Sequence, residues 1–417
     1  LATRAGAALA NAARRAVTRD DNHAAASLFG RAVELMPQRA PERRGLRYEL
    51  AEALRETSDF VEAEALTVEV IRDSRDAGDR RIEALAAALH AWFANTLDST
   101  VTTQSALNQA AEAMRTLEEL GDQAGALRAS RTVQFMTFVL GRVDESLSIA
   151  RARLERARSV SALGEIRHAV QQITGALYYG STPVPEAIEE IERLLPLIGE
   201  SPAALAEATR QQSALYAMAG RFEEARRAAQ ETRARMEAVG SRFRLAGLAF
   251  WVGPMHMLAG EYEEAERVLR ESIEMFEAIG DKGFLSTLVV DLAEALLAQG
   301  RHDEAAGYAE RGRVLGVEDD IVTQVGWRAA MAKVLAIRGA LDEAERLARA
   351  AVEIADRTDY ISFRGDGWMR LSEVLRMAGR TDEAAAAVRE ALGLYERKGN
   401  IVSAERAHGE LADLQAG

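Results

Sequence analysis

The sequence predicts an all-α solenoid of about ten antiparallel helix pairs, followed by one capping helix at the carboxyl end. Two observations support this. One short phrase recurs at a spacing near 40 residues, and a period of that length without strand patterns is typical of stacked helical repeats. The four copies are Ala219-Gly-Arg-Phe-Glu-Glu-Ala225, Ala259-Gly-Glu-Tyr-Glu-Glu-Ala265, Gln299-Gly-Arg-His-Asp-Glu-Ala305 and Arg338-Gly-Ala-Leu-Asp-Glu-Ala344. We therefore expect one elongated array rather than separate globular domains.

Each part of the phrase suits a helix boundary. Glycine ends the first helix, because it adopts a left-handed conformation without steric cost. The two acids then open the next helix, where they face the positive end of its dipole. We interpret them as helix-start residues rather than as metal ligands or an acid–base pair, since the chain supplies no further partner groups. The final alanine marks a close approach of two helices.

The position of the final alanine recurs through the whole chain and marks each repeat. It falls at Ala25, Ala63, Ala106, Ser146, Ala187, Ala225, Ala265, Ala305, Ala344 and Ala384. A small residue lies twelve positions earlier in every repeat except the fourth, where Gln134 stands. The predicted helix pairs cover approximately 1–38, 41–77, 80–120, 122–160, 163–199, 201–239, 241–279, 282–316, 319–357 and 360–398, and the capping helix covers 401–415. The turns of repeats three (97–103) and five (179–185) lack the glycine phrase.

The spacing within a repeat resembles that of the tetratricopeptide repeat (TPR). Ser213, Gly220, Phe222 and Ala225 show it: a small residue, a turn glycine, an aromatic residue and an alanine. The repeats here are longer than the 34 residues typical of that family. The resemblance implies a right-handed superhelical solenoid whose first helices line a concave groove. The long helices also resemble the carboxy-terminal repeat regions of large bacterial signalling ATPases, including those fused to cyclase or DNA-binding domains.

Composition excludes several classes of function. Cysteine is absent, which excludes disulfides and thiolate sites and favours a reducing, cytoplasmic setting. A net charge of −13 disfavours nucleic acid as a partner of this segment. No apolar run is long enough to span a membrane, and no signal peptide is visible. Arginine and alanine abundance favours a bacterial source. The chain begins at Leu1 rather than methionine, so we expect it to be part of a longer protein with an amino-terminal effector domain.

The sequence contains no recognisable catalytic motif. No glycine-rich turn ends in Gly-Lys-Ser/Thr, and no GxSxG or HExxH pattern is present. The histidines are scattered without helical partners, at His23, His90, His168, His256, His302 and His408. We therefore expect no catalytic residues, no cofactor and no metal site, and the chain is predicted not to be an enzyme.

The resemblance to TPR arrays also implies where a ligand would bind. Positions that tend to face the groove in that family fall here on Arg131, Phe135, Phe138, Tyr179, Arg210, Met218, Phe250, Pro254 and Met257. The groove is thus predicted to be apolar in its middle and charged at its ends. Two alternatives remain: the longer helices turn these side chains into the core, or the superhelix closes on itself. Gly253-Pro254 predicts a kink that either widens the groove or lets Trp251 pack.

The predicted function is recognition without catalysis. The groove would bind a peptide, a protein segment or a small apolar effector, as the regulatory part of a larger bacterial signal-transduction protein. The alternative is a constitutive scaffold that assembles a protein complex. A third hypothesis, an enzyme, would require a site assembled across repeats from scattered histidines and acids.

Overall fold

The computed structural model describes residues 2–240 and 242–416. Outside it lie Leu1, Ser241 and Gly417. The first two are the opening residues of the predicted first and seventh helix pairs. The described part of the chain is all-α, with 23 α-helices, a short 3-10 helix and no strand. The helices are α1 (Ala2–Thr18), α2 (Asn22–Leu35), α3 (Pro41–Thr57), α4 (Phe60–Asp76), α5 (Arg80–Leu97), α6 (Thr103–Glu119), α7 (Gln123–Val139), α8 (Val143–Ser159), α9 (Leu163–Tyr179), α10 (Val184–Leu194), α11 (Pro202–Thr209), α12 (Gln212–Met218), α13 (Phe222–Val239), α14 (Arg242–Ala246), α15 (Ala249–Ala259), α16 (Tyr262–Ile279), α17 (Gly283–Ala298), α18 (His302–Leu315), α19 (Ile321–Ile337), α20 (Leu341–Ala355), α21 (Ile361–Met377), α22 (Thr381–Lys398) and α23 (Ile401–Ala416).

First and second helices alternate along the chain and pack as neighbours, which gives an all-α superhelical repeat fold. The first helix is continuous in most repeats, but in repeats six and seven it is divided into α11 with α12 and α14 with α15. The last helix, α23, packs on α22.

Burial confirms the alanine marker. The side chains at all ten marker positions have 0 % exposure: Ala25, Ala63, Ala106, Ser146, Ala187, Ala225, Ala265, Ala305, Ala344 and Ala384. Gln134, the exception to the small-residue pattern, is hydrogen-bonded in repeat four to Ser146, the one marker residue that is not alanine. A polar pair therefore fills the close contact that two small residues make elsewhere.

The glycines and acids of the recurring phrase also take their predicted places. Gly220, Gly260, Gly300 and Gly339 all have φ between 73° and 82°. The paired acids lie in the first turn of the helix that follows, as Glu223 and Glu224 do in α13. Because each helix start is built in this way, the local pattern fixes the helix boundaries.

The first helix of repeat seven is not interrupted at Gly253-Pro254, where the sequence predicts a kink. Helix α15 continues through Pro254, and the interruption lies earlier, at Gly247-Leu248. There the backbone tightens, with the Leu248 N–H donating to the Leu245 carbonyl at 3.1 Å. Proline lacks the N–H that would bond the carbonyl four residues earlier, so the strain falls on the preceding turn. Gly253 has a packing role instead, since a Cβ there would lie 3.3 Å from Leu269.

The superhelix closes on itself, which was one of the two alternatives left open by the sequence. Turns within the first five helix pairs contact residues that lie roughly 150 to 220 positions further along the chain, where successive superhelical turns meet. We call this line of contacts the seam. It joins Asp20 to Arg167 and Ser201, Ser58 to Phe243, Thr96 to Lys282, Thr103 and Gln104 to Asp319, Gly141 to Asp359, and Gly180 and Thr182 to Lys398.

Most seam contacts cap helix ends. Both oxygens of Asp319 accept 2.8 Å hydrogen bonds from the Thr103 and Gln104 amides, which open α6. Asp359 accepts a 3.2 Å bond from the Asp144 amide in the first turn of α8. A carboxylate from the second superhelical turn therefore accepts hydrogen bonds from amides at helix starts in the first superhelical turn. These amides have no partner within their own helices.

Candidate ligand cavity

The coil of the superhelix surrounds a cavity of about 930 Å³ that is partly open to solvent. The first helices of repeats one to five line one side, including Arg14 of α1. Residues from the other side of the seam, including Phe243, Lys282 and Tyr360, line it as well. The cavity therefore lies inside the coil and remains open on part of its surface.

One wall of the cavity is aromatic. Phe243 and Phe284 stand with ring centroids 5.5 Å apart, and Phe250 lies 5.7 Å from Phe284. Phe135 approaches Phe284 at 5.9 Å and Trp92 lies 6.4 Å from Phe243. Such edge-to-face and tilted packing leaves ring faces and edges directed at the cavity, which suits an apolar or aromatic group.

A second aromatic group lies where α9 meets the loop before α21. Tyr179 contacts Phe138, Trp251 and Tyr360 at centroid distances of 5.4, 5.5 and 5.3 Å. The Tyr360 hydroxyl donates a 2.5 Å hydrogen bond to the Phe138 carbonyl across the seam. The Trp251 indole N–H is buried and has no hydrogen-bond partner among the described residues.

Between these walls the cavity carries buried ion pairs. Arg131 binds Glu165 in a bidentate manner, with N–O distances of 3.0 and 2.6 Å. Arg153 approaches the same carboxylate at 3.5 Å. Burial alone would raise the pKa of Glu165, but Arg131 and Arg153 outweigh it and hold that pKa below its usual value. Glu165 is therefore an anion fixed between two cations.

A second network crosses the seam. Arg244 lies 2.7 Å from Glu56 and 3.3 Å from Glu207, while Arg210 lies 3.0 Å from Glu207. The Gln171 amide donates to Glu207 at 2.8 Å. Repeats two, five, six and seven thus share one set of charges, which fixes polar groups at defined positions in the wall.

His168 projects from α9 among these arginines. Burial lowers the pKa of His168 well below its usual value, and Arg131 and Arg55 lower it further. The ring is therefore neutral at pH 7. Its Nδ1 atom is buried without a partner within the part of the chain that the structure describes. No sequence pattern distinguishes this histidine from the other five.

The structure brings together six of the nine residues predicted for the groove. Those lining the cavity are Arg131, Phe135, Phe138, Tyr179, Arg210 and Phe250. Met218 instead packs in the core at 3 % exposure, and neither Pro254 nor Met257 lies among the lining residues. All three follow the interruptions of the first helices in repeats six and seven, where positions carried over from a continuous helix lose their register.

The middle repeats contribute charged networks to the lining as well as the apolar side chains that the sequence predicts, with Glu165 and Glu207 beside Phe135 and Phe250. Sequence reasoning missed Glu165, Glu207 and Arg244, which no local pattern distinguishes from surface charges. Trp92 and Trp251 are less than 10 % exposed yet line the cavity, so packing and cavity roles coincide. The absence of the recurring glycine phrase from the turns of repeats three and five was the one available signal, since both turns lie on the seam.

The described part of the chain offers neither a metal-binding cluster nor a membrane-spanning helix. Residues 2–240 and 242–416 contain no cluster of three or more histidine, aspartate or glutamate side chains able to hold a metal ion. In the same ranges, every helix is too short or too polar to cross a bilayer.

The fold and cavity define a stacked helical-repeat protein of the kind that binds other molecules. The tetratricopeptide repeat family model matches residues 246–313, which include two copies of the recurring phrase, and the chain is a TPR-like helical-repeat array. None of the curated proteins compared is similar to the chain.

Among solved structures, 211 chains match. A Rap protein complexed with Competence and Sporulation Factor is 12 % identical, with a TM-score of 0.48 over 94 % of this chain and 98 % of the other. A Podosopora anserina kinesin light chain structure with nearly identical TPR-like repeats is 16 % identical, with a TM-score of 0.34 over 47 % of this chain and 96 % of the other.

Proposed function

We propose that the chain is a non-enzymatic binding domain whose internal cavity holds a short peptide or a small effector with an apolar part. It would serve as the sensory and regulatory portion of a larger bacterial signal-transduction protein in the cytoplasm. The observation that supports this most strongly is the cavity inside the coil, with its aromatic wall beside fixed ion pairs.

The size of the cavity separates this proposal from a constitutive scaffold. A volume of about 930 Å³ lies near the upper end of the range for small-molecule pockets, roughly 300–1,000 Å³. It accommodates a drug-sized molecule or a few residues in an extended conformation, and it is too small for a folded partner. A cavity of this size inside the coil suits a small ligand or a short peptide better than a protein-sized partner.

The lining also restricts the chemistry of the ligand. Phe243, Phe250 and Phe284 offer apolar surface, and Glu207 and Arg210 offer an acceptor and a donor within the same cavity. A peptide with one apolar or aromatic side chain and free backbone amides meets both requirements. Nucleic acid does not, because the cations of the wall are already paired with carboxylates.

Binding can be tested before the ligand is known. The apolar anion 8-anilinonaphthalene-1-sulfonate (ANS) and a pool of short peptides would be titrated against the wild type, Phe250→Ala and Tyr262→Ala. Phe250 lines the cavity, whereas Tyr262 is an aromatic residue of the same repeat outside it. We expect Phe250→Ala to weaken saturable binding about tenfold or more and Tyr262→Ala to leave it unchanged. Equal affinities in all three proteins would contradict the cavity as the site.

A further inference from the structure

The seam and the cavity wall are built from the same residues. Phe243 donates its amide to Ser58 Oγ at 3.2 Å, and its ring lines the cavity. Lys282 donates its amide to the Thr96 carbonyl at 3.0 Å and lines it too. The Tyr360 hydroxyl donates to the Phe138 carbonyl across the seam, and the Tyr360 ring lines the cavity. A molecule in the cavity therefore touches the groups that hold the two superhelical turns together.

The seam also departs from the backbone design of the other repeats. Asp20 and Ser58 have φ values of 61° and 74° at turns where later repeats have glycine. A side chain in this conformation costs energy that glycine would avoid. Both side chains form seam contacts, Asp20 with Arg167 and Ser201 and Ser58 with Phe243. The strain of these two left-handed residues is therefore offset by contacts that form only when the coil is closed.

Few contacts cross the seam compared with those inside a helix pair. Around the cavity they are backbone or capping hydrogen bonds, the ion pair of Arg244 with Glu56, and the rings of Phe243, Phe284 and Tyr360. The helices of a pair are joined by many more contacts than the helices on either side of the seam, although apolar side chains such as Phe60 and Phe243 also pack across it. Elements held by fewer contacts open first in native proteins.

We propose that the seam beside the cavity is a gate: it opens between Ser58 and Phe243 and between Thr96 and Lys282 to admit the ligand, and an occupied cavity holds it closed. This rests on the proposed function, since it describes how the same cavity is reached. Ligand contact with Phe243 and Tyr360 stabilises the closed coil because those residues also form the seam. The shape of the array thereby reports whether the cavity is occupied.

Amide hydrogen exchange tests the opening of the gate without any ligand. In the wild type, the amides of Thr103, Gln104, Phe243 and Lys282 should exchange together, faster than the interior amides of α17. Each of these four donates across the seam. If they are as protected as the interior of α17, the seam does not open locally and the proposal is overturned.

A disulfide across the seam tests whether that opening controls access. A Cβ built on Gly283 lies 3.5 Å from Thr96 Cα, and the chain has no other cysteine, so Thr96→Cys with Gly283→Cys can form one bridge. The oxidised and reduced forms are matched controls for each other, and Gly283→Cys alone controls for the substitution. Closing the bridge should slow exchange of the seam amides by about tenfold or more.

ANS binding kinetics in the oxidised and reduced forms complete the test. We expect ANS association to slow about tenfold or more on oxidation and to recover after dithiothreitol, because the bridge removes the open state. Unchanged association and dissociation rates would show that ligands enter by another route, and would overturn the gate while leaving the cavity as the site. Failure of ANS and peptides to bind the reduced protein would instead refute the proposed function. Hydrogen exchange of the seam amides would then decide by itself whether the seam opens.

Discussion

Replacing Lys398 by methionine tests how the last repeat is attached to the first superhelical turn. The Lys398 side chain has 0 % exposure, and its ammonium donates 2.8 Å hydrogen bonds to the carbonyls of Leu177, Gly180 and Thr182. These carbonyls belong to the end of α9 and the turn after it, where the glycine phrase is missing. A cation at a helix carboxyl terminus satisfies orphan carbonyls and opposes the negative end of the dipole.

Burial lowers the pKa of Lys398 from 10.5 to about 7, and Asp144 acts in the opposite direction. Between those two pH values the unfolded chain binds a proton that the folded chain does not, so the free energy of unfolding rises with pH. The slope is about 1.4 kcal/mol per pH unit, and the full window amounts to on the order of 4–5 kcal/mol. This is an upper value, because three carbonyl acceptors favour the charged ammonium over an amine with two N–H groups.

Urea unfolding at pH 7, 8, 9 and 10 measures this contribution as the difference between wild type and Lys398→Met. Methionine has a similar length and no charge, so it removes the titration and leaves three carbonyls without a donor. We expect the wild type to gain stability relative to the variant as the pH rises from 7. A difference that stays constant from pH 7 to 10 would show that the carbonyls hold the pKa at its ordinary value and that our assignment of its direction is wrong.

Three further substitutions test the core, the cavity and the seam. Ala265→Leu should cost roughly 1–3 kcal/mol by overpacking a fully buried contact, while Glu263→Gln should cost only about 0.3–1 kcal/mol; equal melting temperatures would refute the register. Glu165→Gln should cost roughly 3 kcal/mol or more in urea unfolding, because it leaves Arg131 buried without a counter-charge; a change under 1 kcal/mol would contradict this. Asp319→Ala should cost about 0.5–2 kcal/mol by uncapping α6, and a calorimetric melting curve that matches the wild type would count against that capping role.

The repeat could be predicted from the sequence and the cavity could not, and the difference has a physical reason. The marker alanines, turn glycines and first-turn acids act within about 40 residues, and their packing follows from local spacing. The exception at Gln134 was visible, and its partner Ser146 lies only twelve residues away. Glu56 and Arg244, by contrast, meet only after the coil completes a turn. That meeting depends on small rotations summed over several repeats, which no single repeat encodes.

Ser58→Gly separates the stability of the seam from that of the repeat. Glycine relieves the strain of a left-handed residue, a gain of about 1–2 kcal/mol. It also deletes the Ser58 hydroxyl that accepts from the Phe243 amide, a loss of about 0.5–1.5 kcal/mol, and makes the unfolded chain more flexible. Because these terms nearly cancel, we expect the free energy of unfolding to change by less than about 1 kcal/mol. The seam should nevertheless weaken, since only the hydrogen bond crosses it.

Exchange of the Phe243 amide measures that second effect. It should become about tenfold faster in Ser58→Gly, because one hydrogen bond near the upper end of the usual range corresponds to about that factor. The amides of Thr103 and Gln104, held by Asp319 at another point of the seam, are followed in the same experiment. Unchanged exchange at Phe243 would mean that the Ser58 hydroxyl does not protect that amide, so the hydrogen bond across the seam would not explain the left-handed conformation of Ser58. Faster exchange only at Phe243 would show that the seam opens in sections, and faster exchange at all three amides that it opens as one unit.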